Sequence, residues 1–242
     1  MNSTYNIFSK PTYILYIINY TYYFLLFLSA SFLLTGLYLA LNVVPQDFQQ
    51  GEVYRILYIH VPSAWLSTNI YNVMSVLSLF YLVKKHPLLH YISLSLSASG
   101  VLLTLITLIS GSIWGKPMWG TWWVWDARLT SVLILLLIYI FYIILATLSI
   151  EENRKAFISS LFCILGCFIV PIIKFSVDWW NTLHQPASIS QSGASIHESM
   201  IYPLLITFLG IVFYVILITS ITLKYFIINK KIDFYRSSKD KK

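Results

Sequence analysis

Residues 129–150 read LTSVLILLLIYIFYIILATLSI, without one charged side chain and without a glycine or proline. A helix needs about 20 mostly apolar residues to cross the hydrocarbon core of a bilayer, and this run supplies them. Outward along the chain, five more runs of the same character appear, at about 21–44, 62–83, 89–111, 157–177 and 201–223. Little lies outside them. The chain is 58% hydrophobic and only 10% charged, with a mean hydropathy of +0.74, whereas soluble domains carry about 25% charged residues. A soluble fold of this length would need far more polar surface. The expected fold is an all-α integral membrane protein of six transmembrane helices, with residues 1–242 forming a single membrane domain. The first run continues well past Ser29, Ala30 and Ser31, and reads as an uncleaved signal anchor, the alternative being a cleaved signal peptide.

The formal net charge is +7. In a soluble protein such an excess points to nucleic acid; here the positions of the charges account for it, and no nucleic-acid partner is expected. Short inner loops of membrane proteins carry an excess of Lys and Arg. With the N-terminus inside, the inner segments hold Lys10, Lys84, Lys85, Arg154, Lys155, Lys224, Lys230, Lys231, Arg236, Lys239, Lys241 and Lys242, which is 12 of the 16 basic residues. The outer side holds Arg55, Lys116, Arg128 and Lys174. Both termini are therefore expected inside. The basic tail from Lys224 to Lys242 reads first as a topology determinant. The alternative is contact with anionic lipid of the bilayer, at about 1 kcal/mol per basic residue near the surface.

Three segments then face outside, at about 45–61, 112–128 and 178–200. All eight tryptophans lie in them or at their edges: Trp65, Trp114, Trp119, Trp122, Trp123, Trp125, Trp179 and Trp180. An aromatic belt anchoring helices at headgroup level populates both interfaces, and this set is one-sided. The density within 114–125 favours a surface for a large flat ligand, because tryptophan offers much rigid contact area at small entropic cost. If residues 119–126 are helical, Trp119, Trp122, Trp123 and Asp126 share one face, forming an amphipathic aromatic shelf. Gly115, Pro117 and Gly120 interrupt the chain upstream and keep the shelf short.

Of the histidines, His86 and His90 read as ordinary interfacial residues beside the inner Lys84-Lys85 loop. His60 precedes the second apolar run, His184 lies in the last outer loop, and His197 precedes the sixth run. His60 and His184 flank the tryptophan-rich loop in the chain. Two histidines cannot complete a structural zinc site, which takes four ligands, but they suffice for the two axial positions of a porphyrin iron. Spacing alone leaves both readings of the pair open, ligands or plain loop residues. Arg55 and Arg128 are the outer arginines, each beside one of these features. A guanidinium binds carboxylate in a bidentate fork, so both are candidates for haem propionates. The other reading pairs Arg128 locally with Asp126, or has it cap the fourth helix.

The run Trp119-Gly-Thr-Trp-Trp-Val-Trp-Asp-Ala-Arg-Leu-Thr130 resembles the tryptophan-rich "WWD" signature of haem-handling membrane proteins, here spanning about 114–130. In length, helix number and the placement of His60 and His184, the chain resembles the haem exporter protein C family, also called cytochrome c maturation protein C. The resemblance implies haem b held non-covalently at the outer membrane surface, with His60 and His184 as axial ligands. Trp114, Trp119, Trp122, Trp123, Trp125 and Asp126 would hold the porphyrin, and Arg55 and Arg128 would meet its propionates. It implies presentation of haem to a membrane-tethered chaperone, cytochrome c maturation protein E. It further implies an ATP-binding-cassette transporter pair and a small membrane subunit as partners, in a bacterial or mitochondrial inner membrane. No role is carried to His197.

Positioning of haem, rather than enzymatic catalysis, is the expected activity. Ser, His and Asp occur outside, but no Gly-x-Ser-x-Gly elbow is present. There is no phosphate-binding Gly-x-x-x-x-Gly-Lys-Ser/Thr loop, so an ATPase is excluded. A haem transporter would expose ionisable residues inside its helices, and Lys174 is the main one here. A b-type electron-transfer cytochrome would bury its histidine pair between helices, whereas this pair is expected in surface loops. Cys163 and Cys167 read as small packing residues in the fifth run, since helical spacing does not favour a disulfide.

Overall fold

The computed structural model describes residues 11–185, 189–190, 193–194 and 196–239. Its helices are α1 (Pro11–Tyr38), α2 (Leu57–Lys84), α3 (Pro87–Trp119), α4 (Ala127–Ala146), α5 (Glu152–Gly166), α6 (Ile169–Trp179) and α7 (Glu198–Lys239). A π-turn at Leu39–Val43 extends α1, and a 3₁₀ turn at Glu52–Ile56 leads into α2. The remaining regular structure is a two-residue hairpin pairing, Ile189–Ser190 with Gly193–Ala194. Six spans are long and apolar enough to cross a membrane, with α5 and α6 together making the fifth. The protein is an all-α integral membrane protein, as its apolar runs require.

The break in the fifth span has a local cause. Pro171 cannot donate an N–H to the Cys167 carbonyl. That carbonyl accepts from Val170 instead, at 3.1 Å, and Cys167 N–H reaches Ile164 O at 3.1 Å, so the chain tightens between α5 and α6. Cys163 is buried and Cys167 partly so, both unbridged. The α2–α3 turn closes at Lys85, whose left-handed backbone (φ 52°) brings its N–H to Tyr81 O at 2.8 Å. His86 then caps α3, with Pro87 at the first helical position.

Polar groups inside a membrane bundle must find internal partners. Tyr139 and Tyr142, fully buried in the centre, donate to Ser67 O at 2.6 Å and Ser93 Oγ at 3.0 Å. Tyr71 donates to Cys163 O at 3.0 Å and packs edge-on against Tyr139. Helices α1 and α7 meet through small residues, the device that lets membrane helices approach closely. Ser29 Oγ donates to Gly210 O at 3.2 Å, and a Cβ on Gly36 would stand 2.4 Å from Thr207 Oγ1.

Helix boundaries differ from the sequence reading at both ends of the bundle: α1 starts at Pro11 rather than near 21 and α7 runs on to Lys239 rather than 223, and at the end that carries His60 two more boundaries move. Helix α2 starts at Leu57 rather than near 62, so His60 stands in its first turns and not in a loop. Pro62 is carried inside the helix, where it forfeits the bond to the Tyr58 carbonyl. Helix α3 runs on through Trp114 and Pro117 to Trp119, where Gly120 (φ 76°) caps it in the left-handed conformation and donates to Lys116 O at 3.0 Å. Residues 120–126 are consequently not helical. The expected shelf with Trp119, Trp122, Trp123 and Asp126 on one face does not form, because the left-handed cap turns the chain away.

Candidate functional site

The site begins with the loop between α1 and α2. Asp47 Oδ1 accepts the N–H groups of Gln49 and Gln50 at 2.9 and 2.8 Å, and Tyr54 donates to Pro45 O at 2.7 Å. This fixes Gln50, whose Oε1 accepts the Trp114 indole N–H at 2.8 Å. Trp114 is thereby held edge-on against His60, with ring centres 5.7 Å apart and an interplanar angle of 86°.

His60 is buried and its Nδ1 lies 3.0 Å from Ser110 Oγ on α3. Ser110 gives its own proton to Ile106 O at 2.5 Å, so the serine oxygen accepts and the His60 proton sits on Nδ1. The close packing needs Gly111, where a Cβ would come within 3.0 Å of His60 Cε1.

His184 arrives from the segment between α6 and α7. Its Nδ1 lies 2.8 Å from its neighbour's carbonyl, Gln185 O, and 3.2 Å from Arg128 Nη1. The shorter contact is to an acceptor, which puts the proton on Nδ1 here too. Among the described residues, neither Nε2 has a hydrogen-bond partner. Burial depresses the His184 pKa below its usual 6.5, the neighbouring Arg128 charge lowers it further, and Gln185 O opposes both. The neutral imidazole, the form that ligates metal, is therefore favoured.

The two rings lie with centres 6.4 Å apart and planes inclined by 32°. With metal–nitrogen bonds of about 2.0 Å and each nitrogen roughly 1.1 Å from its ring centre, two imidazoles on one metal have centres about 6 Å apart. The spacing fits. Among the described residues no group of three or more His, Cys, Asp or Glu side chains gathers. A pair without further protein ligands suits axial coordination of a porphyrin iron rather than a structural zinc ion.

Arg128 is half-buried in the first turn of α4, within reach of Ser176 Oγ (3.3 Å), Ile173 O (3.4 Å) and His184. None of the ion pairs among the described residues includes it. Arg55 differs: it pairs with Glu52 and donates to Ala40 O, tying the 3₁₀ turn to the end of α1. Asp126 is the N-cap of α4, accepting Leu129 N–H at 2.8 Å, and its other oxygen accepts from Thr182. Thr182 Oγ1 in turn accepts His184 N–H at 3.1 Å. Asp126 thus orients the His184 loop from beside the site.

The tryptophans divide. Trp114 and Trp119 adjoin the histidines, Trp119 with its ring centre 6.4 Å from that of His184. Trp123 is half-buried against Trp125 (5.5 Å, edge-on), and its buried indole N–H has no partner. Trp122 and Trp125 are exposed, as are Trp179 and Trp180. Of the other histidines, His86 caps α3 and exposed His197 lies against Ser199 Oγ at 2.8 Å. His90 is buried, not interfacial, packed between Tyr81 and Tyr91 with both ring nitrogens unpartnered.

A profile of the family described as Heme exporter protein C matches residues 4–237. The chain belongs to that family. It is 53% identical over 178 residues to a cytochrome c biosynthesis ccmC-like mitochondrial protein of Marchantia polymorpha, covering 74% of this chain and 75% of the relative. The corresponding protein of Arabidopsis thaliana is 48% identical over 188 residues, 78% and 70% of the two chains. Heme exporter protein C of Haemophilus influenzae is 42% identical over 185 residues, 76% and 75% of the two chains. The similarity thus reaches both mitochondrial and bacterial members of the family.

Sequence reasoning missed the residues that hold the family's candidate histidines in place. Ser110 and Gly111 sit inside an apolar run, and Gln50, Thr182 and Ser176 carry no motif. The one available signal was periodicity, since Ser110, Gly111 and Trp114 recur at helical spacing once α3 is extended to Trp119.

Proposed function

We propose that this protein binds haem b non-covalently at the outer face of the membrane, with the Nε2 atoms of His60 and His184 as axial ligands. It presents that haem to a haem chaperone, cytochrome c maturation protein E, during biogenesis of c-type cytochromes. The observation that carries the proposal is the pair of imidazoles brought from separate segments to a centre-to-centre distance of 6.4 Å.

Each side chain has a stated task. Ser110 and Gln185 hold the two Nδ1 protons, leaving the Nε2 lone pairs available, as the outer partners of metal-ligating histidines generally do. Trp114 and Trp119 pack beside the rings and shield them from water. The free indole N–H of Trp123 and the guanidinium of Arg128 are donors suited to the carboxylates of haem propionates. Arg55 can serve a propionate once it exchanges Glu52 for it. Asp126 acts through Thr182 on the His184 loop, and exposed Trp122 and Trp125 offer apolar area to the porphyrin edge or the chaperone. This is orientation of a reactive edge rather than acid–base chemistry.

The membrane is an inner membrane, bacterial or mitochondrial, with both termini on the side away from the site. A transporter pair of the ATP-binding-cassette type and a small membrane subunit complete the delivery complex. The first experiment is an absorption spectrum of detergent-purified protein beside His60→Ala and His184→Ala. A low-spin haem spectrum in the wild type, lost or turned high-spin in each variant, is the expected result. Haem-free wild type, or variants with the wild-type spectrum, would discard the ligand assignment.

A further inference from the structure

A groove of about 610 Å³ opens between α1 and α7 at the end of the bundle opposite the histidine pair, and nothing in the haem reading uses it. We propose that it binds one anionic phospholipid of the leaflet facing away from the haem site.

The wall contributed by α7 carries Lys224, and that of α1 carries Asn19, Tyr22 and Tyr23, with Tyr225 beside the lysine. Lys224 Nζ donates to Asn19 Oδ1 at 2.7 Å, which uses one of its three protons. The nearby Lys155 and Lys230 both pair with Glu152, at 2.8 and 2.5 Å. No ion pair among the described residues includes Lys224. An ammonium with no carboxylate in the ion pairs of the described residues thus lines an open groove together with three tyrosines.

Depth selects the occupant. From Glu198 to Lys224 the helix rises about 39 Å, more than the roughly 30 Å of hydrocarbon in a bilayer. Lys224 therefore stands at headgroup level, where tyrosine rings also settle. Ile18, Ile221 and Ile228 line the same groove and supply the apolar surface an acyl chain needs. A phosphodiester at Lys224 and the tyrosine hydroxyls, with a chain against the isoleucines, satisfies every group on the wall. Basic pockets between membrane helices recognise anionic headgroups by this combination. Toward the histidine end the same two helices are sealed by the Ser29–Gly210 and Gly36–Thr207 contacts, which confines the site to this end.

The test is native mass spectrometry of the full-length protein in detergent, titrated with phosphatidylglycerol or phosphatidylcholine. Wild type is expected to retain one phosphatidylglycerol in preference to phosphatidylcholine. Lys224→Met should weaken that retention roughly fivefold, the equivalent of one interfacial lysine, while Lys224→Arg keeps it. Lys231→Met, which removes a basic residue outside the groove, should leave it unchanged. Equal retention of the two lipids would overturn the proposal. So would a loss in Lys231→Met as large as in Lys224→Met, which would mean diffuse attraction by the basic tail. Should Lys224→Met fail to accumulate, Tyr225→Phe, lacking one groove hydroxyl, is expected to show a smaller loss in the same comparison, and no loss there would overturn it.

Discussion

Arg128 Nη1 stands 3.2 Å from His184 Nδ1, so the cation closing the tryptophan loop lies against the histidine of another connecting segment. The same guanidinium reaches Ser176 Oγ and Ile173 O on α6. With the Nδ1 proton given to Gln185 O, the guanidinium holds His184 against α6 by packing rather than by a hydrogen bond. Replacing it with Ala is expected to leave His60 in place and free His184, giving a mixed high-spin and low-spin haem spectrum. Arg55→Ala, remote from either ring in its hydrogen bonding, should keep a purely low-spin spectrum. Identical spectra for the two variants would remove the bracing role.

The Ser110 hydroxyl should matter as much as a motif residue. It is the hydrogen-bond partner of His60 Nδ1, and loss of such outer partners costs about 10–100-fold in metal affinity. Ser110→Ala is expected to weaken haem binding within that range, with insertion and helicity unchanged. Gly111→Ala should also weaken it, because the new methyl group would press on His60 Cε1. Haem titration of the purified variants decides both, and wild-type affinity in Ser110→Ala would end the argument.

The six membrane helices were legible because long uncharged runs have few other uses, and the histidine pair was legible as residues though not as a geometry. What stayed hidden about the site lies at the helix ends around His60 and Trp119. The segment before Pro62 read as loop, yet neighbouring helices bury Leu57, Tyr58 and His60 and the chain is helical from Leu57. Gly115 and Pro117 looked like breakers, yet the chain passes through both and stops at Gly120. Propensity is a weak guide where tertiary contacts satisfy the backbone. Asp126 shows the same limit. As part of a signature it suggested ligand contact, and its hydrogen bonds make it a helix cap that steers Thr182.

The tryptophans are expected to separate by position. Trp114→Ala and Trp119→Ala remove rings packed beside the histidines, and should lower haem affinity. Trp122→Ala and Trp125→Ala remove exposed rings, and should leave affinity near wild type while slowing transfer to the chaperone. Parallel measurements of haem content and transfer rate check the division. Equal loss of membrane insertion in all four variants would return these residues to an interfacial belt.

His184 gives a pH dependence whose sign is fixed by its surroundings. Burial and then Arg128 lower its pKa from 6.5, so in the ligand-free protein it stays neutral at pH values where an unfolded chain's histidine is already protonated. The unfolded state then binds more protons, and stability rises with pH across that window. This contribution is fully present above 6.5 and is lost as pH falls through the depressed folded value. Histidine ¹⁵N resonances, assigned with His184→Gln, should show its midpoint below 6.5, and Arg128→Met should move it upward without restoring it fully, because burial is the larger cause. A wild-type midpoint at or above 6.5 would mean that the His184 ring is solvated, and with it the close approach of the two imidazoles would have to be given up.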